Sequence, residues 1–185
     1  MNYTCLLEQE FEQGIYKIVP VRQNDRHDIR KWRNEQIFHL RQQKLLSAEE
    51  QDNYFENVVA KLFEKKNPDQ ILFSYLENDV CIGYGGLVHI NWQDQYAEIS
   101  FIMDTSLEEK FFEKHWKQFL LLLQKVAFDS LLFHKIFTYA FDLRPRLYVA
   151  LETADFIKEA VLKEHCFFEG KFIDVVIHIK LNHKG

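Results

Sequence analysis

His89 and Glu98 stand on consecutive extended runs, CIGYGGLVHINW and YAEISFIMD, with a short polar turn between them. An imidazole that titrates near neutrality beside a mid-strand carboxylate is a pair suited to moving a proton. A second cluster, Trp32, Arg33 and Arg41, falls in the first helical region. An indole stacks on a base or a sugar, and arginines grip a diphosphate through two parallel hydrogen bonds. The ordinary reading of the same residues is a core tryptophan, surface arginines and a glutamate paired on a solvated face. The eight histidines show no HxxxH spacing with a third partner, so no metal is expected. Cys5, Cys81 and Cys166 are widely spaced and odd in number, which points to free thiols.

The elements that must position these groups follow from hydrophobic periodicity. Alternation over 15–21 predicts a strand, and Asp25 is placed to cap a helix carrying Ile29 and Trp32, with a break near Asn34. Ser47 and Glu50 form a capping box for a helix that Asn67 and Pro68 end. Three strands follow as an antiparallel meander, with turns at Asn78–Asp79 and near residues 93–95. Residues 107–131 return to helical spacing, with Phe112, Trp116, Leu120, Leu123 and Ala127 on one stripe. KIFTYAF is then a strand too distant for a hairpin, which favours parallel pairing with its predecessor. Pro145 opens a short helix, and the chain ends in a hairpin that turns at Glu169 and Gly170. The expected architecture is α+β, a mixed and mostly antiparallel twisted sheet of about seven strands flanked by helices.

The totals fit one domain over residues 1–185, with 47% hydrophobic residues and only 6 Gly and 3 Pro to interrupt them. A formal charge of -5 argues against a nucleic-acid partner, whose phosphates demand a basic footprint. The apolar run FLLLLQKVAF is too short to cross a bilayer and is read as a buried helix. No membrane partner and a cytoplasmic location are expected, since the first 20 residues carry no apolar run of signal length.

The strings IRKWRNEQ, IGYGGLVHINW, AEISF, FDLRPRLYVALETADF and LKEHCFFEGKFIDVVIH occur in an order that resembles the GCN5-related N-acetyltransferase (GNAT) superfamily. Within it, the strings look like the subgroup that includes the ribosomal-protein and amino-sugar N-acetyltransferases. The resemblance implies acetyl transfer from acetyl-CoA to a primary amine, by direct attack and without a metal. It also implies a cofactor slot where the fourth and fifth strands splay apart, with pantetheine pairing to the backbone of Phe101, Ile102, Met103 and Asp104.

Residue roles carry over on the same footing. Glu98 is the implied base, with His89 beside it, and Tyr148 stands nearest to the place of the tyrosine that protonates the departing thiolate. Arg144 and Lys110 are the implied contacts to cofactor phosphates. Trp32, Arg33 and Arg41 would bind the acceptor, a nucleotide-linked amino sugar of surface-polysaccharide synthesis. Protein N-termini are an alternative acceptor, a binding module that has lost its cofactor is an alternative role, and a homodimer is compatible with either. One stretch departs from the family: SLEEKFFEKHW lacks the glycines that ordinarily let backbone amides approach the pyrophosphate. The free amides behind Thr105 or Ser106, with Lys110 and Lys114, are the expected substitutes.

Overall fold

A computed structural model describes residues 1–40 and 42–183. Among these residues, eight strands form one sheet in the order β1-β2-β3-β4-β5-β6-β8-β7. The strands are β1 Phe11–Gln13, β2 Tyr16–Pro20, β3 Ile71–Glu77, β4 Val80–Asn91, β5 Tyr96–Met103, β6 Lys135–Phe141, β7 Ile157–Phe168 and β8 Lys171–Leu181. Every neighbouring pair is antiparallel except β5 with β6. The strand beyond the expected seven is β1, whose alternation is too short to register as a pattern.

The helices are α1 Arg26–Glu35, α2 Ala48–Tyr54, α3 Ala60–Leu62, α4 Thr105–Gln124 and α5 Pro145–Thr153. A π-helical turn, Phe55–Val59, joins α2 to α3, and another, Lys125–Ser130, extends α4. The capping box at α2 is present, with the Ser47 side chain accepting from the Glu50 amide and Glu50 reaching back to Ser47. Asp25 does not cap α1 through its side chain. Its carboxylate is taken instead by Arg22 at 2.7 Å and by the Ser74 hydroxyl at 2.6 Å, which ties the start of α1 to β3.

Alternation along the strands separates the two faces of the sheet. Tyr75 and Phe101 point to α4, where Phe101 stacks on Phe119 at 4.1 Å between ring centroids and meets Trp116 edge-on at 5.0 Å. The opposite face, with Ser74, Tyr84 and Glu98, lies toward α1 and α2. Asn78 and Asp79 (φ 50° and 67°) and Glu169 and Gly170 (φ 46° and 82°) make two of the tight hairpin turns, in left-handed conformations. Among the described residues no helix is long and apolar enough to cross a membrane.

Candidate active site

The parallel pairing of β5 with β6 holds only at its start. Tyr96, Ala97 and Glu98 pair with Lys135, Ile136 and Phe137, although β5 continues to Met103 and β6 to Phe141. Between the diverging edges opens a cleft of about 660 Å³, walled by residues 99–102 on one side and 138–141 on the other. Beyond Glu98 and Phe137 the two strands are not paired with each other, so an extended ligand can add between the edges. A glycine keeps this geometry in place: a methyl on Gly85 would run into the Ser100 carbonyl and lie 3.0 Å from the Phe119 ring.

Glu98 is the last residue of β5 that pairs with β6, at the point where the strands part. Opposite it β4 bulges between Val88 and Asn91, and His89 adopts a left-handed conformation, φ 48°. The bulge re-aims the imidazole, a common use of an extra residue in a strand. His89 Nδ1 lies 2.8 Å from Glu98 Oε2. The carboxylate side chain is 13% exposed and the imidazole 63%, so the pair connects the sheltered cleft to water.

The other end of the cleft is built differently. Arg144, 9% exposed, donates Nη2 to Glu108 Oε1 at 2.7 Å, and its Nη1 lies 2.7 Å from His39 Nε2. Arg146 completes the cluster, with Nη2 3.3 Å from Glu108 Oε2 and Nη1 donating to the Glu108 carbonyl at 3.0 Å. Both guanidinium groups lie over the Phe112 ring, at 4.8 and 4.2 Å. Burial first, and the adjacent Arg144 second, push the His39 imidazole down to about 3, so it is neutral and can accept from the arginine. Burial likewise lowers Arg144 to about 10, against the pull of Glu108 in the other direction. At the start of α4 the Asp104 carboxylate accepts from the Ser106 amide at 2.9 Å, and Thr105 donates its hydroxyl to Glu35 at 2.6 Å.

Three cleft-lining side chains each hold a buried polar atom without a hydrogen-bond partner: Trp116 Nε1, Thr138 Oγ1 and Arg144 Nε. Buried polar atoms are normally paired, so orphans along one cleft mark where ligand atoms would complete them. Among the described residues no group of three or more His, Cys, Asp or Glu is gathered as a metal site would require.

The sequence matches the family described as Acetyltransferase (GNAT) domain over residues 18–177. The chain belongs to the GNAT acetyltransferase family. It is therefore an enzyme of the N-acetyltransferase kind, a family that draws its acetyl group from acetyl-CoA. Solved structures agree on the fold. The spermidine N-acetyltransferase of Vibrio cholerae in complex with CoA and spermine is 19% identical, with a TM-score of 0.77, covering 93% of this chain and 98% of that one. A dodecameric form of the same Vibrio cholerae enzyme, also 19% identical, has a TM-score of 0.75 and covers 93% of this chain and 96% of its own. No curated protein matches the sequence.

Within this GNAT domain the expected residues fall into two groups. Glu98, His89, Phe101, Ile102, Arg33 and Arg144 all line the cleft. Trp32 does not: at 3% exposed it belongs to the core, because the apolar face of α1 must bury both it and Ile29. Met103 and Asp104 lie past the cleft. The Met103 carbonyl accepts from Gln36, the Asp104 amide donates to Ile82, and the Asp104 carboxylate caps α4. Lys110 is exposed on α4, away from the cleft walls, and Lys114 is engaged with Glu77 at 3.5 Å.

Tyr148 also lies outside the cleft lining. Its hydroxyl donates to Asp142 at 2.8 Å and its ring stacks on His178 at 5.2 Å, while burial and the Asp142 carboxylate raise its pKa. Arg41 lies outside the described residues. Sequence reasoning missed Glu108 and His39. Glu108 sits four residues before Phe112 and eight before Trp116, on the helix stripe that faces inward. A carboxylate at a core-facing helix position needs a buried cation, and that spacing was the available signal.

Proposed function

We propose that this enzyme transfers acetyl from acetyl-CoA to the primary amine of a small molecule, with Glu98 as the general base. The observation that carries the reading is the coincidence of Glu98 with the point where β5 and β6 part. A thioester arm laid in the cleft and an amine entering from the α1 and α2 face meet beside that carboxylate. An amine that arrives as ammonium must lose a proton before its lone pair can attack. Glu98 accepts that proton, and His89, 2.8 Å away and open to solvent, passes it to water. Attack on the thioester carbon of acetyl-CoA forms the C–N bond and breaks the C–S bond, and CoA leaves as a thiolate that the proton shed by the new amide nitrogen neutralises. The chain's part is to hold the arm along Phe101 and Ile102, to keep the cleft sheltered and to provide the proton acceptor. Tyr148 receives no role, because its hydroxyl is directed to Asp142.

For the acceptor, we favour an amino sugar carried on a nucleotide. Arg33 lines the acceptor side, together with Gln70 and Tyr54, whose amide and phenol suit sugar hydroxyls. A polyamine is the second reading, favoured by the similar solved structures, one of which holds spermine. Steady-state turnover of acetyl-CoA with a UDP-linked amino sugar and with spermidine in competition separates the two. The sugar nucleotide is expected to be consumed first, and preferential acetylation of spermidine would replace it with the polyamine. The variant Glu98→Gln is expected to lose about 100-fold in kcat/KM while CoA still binds. Full turnover in that variant would remove Glu98 from the base role.

A further inference from the structure

We propose that this enzyme recognises its acyl donor through the pantetheine arm alone, so that an acyl-pantetheine thioester serves it about as well as acetyl-CoA. The proposal rests on the acyl-transfer reading above and deepens it by naming the part of the donor that is bound. A CoA thioester offers two chemistries to a protein. One is a neutral, extended arm with two amide groups; the other is a nucleotide carrying a diphosphate. The cleft is equipped for the first. Its two walls are strand edges that are not paired with each other beyond Glu98 and Phe137, and its lining holds the orphaned Trp116 Nε1, Thr138 Oγ1 and Arg144 Nε. Two of these are donors and one is a hydroxyl, which together suit amide carbonyls and amide hydrogens.

The second chemistry finds the described cations at the α4 end of the cleft already paired. Arg144 and Arg146 flank one carboxylate, that of Glu108, which holds the place a phosphate would take between two guanidinium groups. The N-terminus of α4 would otherwise attract an anion, but it meets Asp104 on the Ser106 amide and Glu35 on the Thr105 hydroxyl. Lys110 stands on the exposed face next to Glu109 and one turn from Glu113. A diphosphate entering here must displace a buried carboxylate and leave it without its partners. A neutral amide can bond Arg144 Nε while the ion pair with Glu108 stays intact.

The test compares CoA with pantetheine by calorimetric titration, and acetyl-CoA with S-acetylpantetheine in turnover. Wild-type protein is expected to bind the two thiols with dissociation constants within about tenfold of each other. The variant Glu108→Gln frees both arginines, and is expected to tighten CoA by about tenfold or more while leaving pantetheine unchanged. Binding of CoA to the wild type more than about tenfold tighter than pantetheine would overturn the proposal, whatever the variant does. The reading it rests on fails separately. If both thiols bind alike but no amine is acetylated from either donor, acyl transfer is wrong while arm-only recognition stands.

Discussion

His39 and Arg144 show how a residue can be committed to one protonation state by its neighbours. The imidazole ordinarily titrates at 6.5 and is held down to about 3 by burial and by the adjacent guanidinium. A group whose folded pKa is depressed contributes its full stability above the unfolded pKa and loses it as pH falls toward the folded value. The window here runs from about 6.5 down to about 3. Urea denaturation at pH 7.5 and pH 5.0 should therefore show wild type losing on the order of 1 kcal/mol more than His39→Gln. Equal losses in the two proteins would mean that the imidazole is not held neutral. At this scale the sequence was legible where a residue sits in regular structure. The His89 and Glu98 pair could be read from two adjacent strands, but His39 could not, because it lies in a short 3₁₀ turn, Ile37–His39, with no periodicity. Its role depends on Arg144, 105 positions away in the chain.

The element that sets the site is the stretch of β4 and β5 around Gly85. There the two strands run so close, over the α4 aromatics, that only glycine fits. Gly85→Ala is expected to force the Ser100 carbonyl and Phe119 apart, at a cost of about 1 to 3 kcal/mol. Thermal unfolding measures the cost, and an unchanged midpoint would show that the strands have slack. Elements with strong local signals were readable: the Ser47 and Glu50 capping box, the Asn78–Asp79 turn and the inward stripe of α4 all occur as their chemistry dictates. Asp25 looked like a cap of the same kind, yet its carboxylate went to Arg22 and to Ser74 of a strand far along the chain. A local preference lost to a tertiary ion pair. Trp32 followed the same logic: an indole on an amphipathic helix goes to the core unless something holds it out.

At the scale of the whole molecule the decisive feature is one crossover. The chain leaves β5, runs the length of α4 and returns as β6 parallel to where it left, and only a few rungs of pairing hold the two strands together. The twist of a sheet with antiparallel strands on both sides then pulls the upper ends apart. This much was expected from the spacing and the resemblance. The charged cluster at one end of the gap was not, because Glu108, Arg144, Arg146 and His39 come from three separate segments and meet only in the folded chain. The proposed acetyl transfer requires that gap to receive the thioester arm of the donor. Hydrogen–deuterium exchange with and without saturating acetyl-CoA tests it most directly. The expected result is slowed exchange along residues 99–102 of β5 and 138–141 of β6, with β1 to β3 unchanged. Unaltered exchange along both edges, under conditions where calorimetry shows the ligand bound, would contradict it.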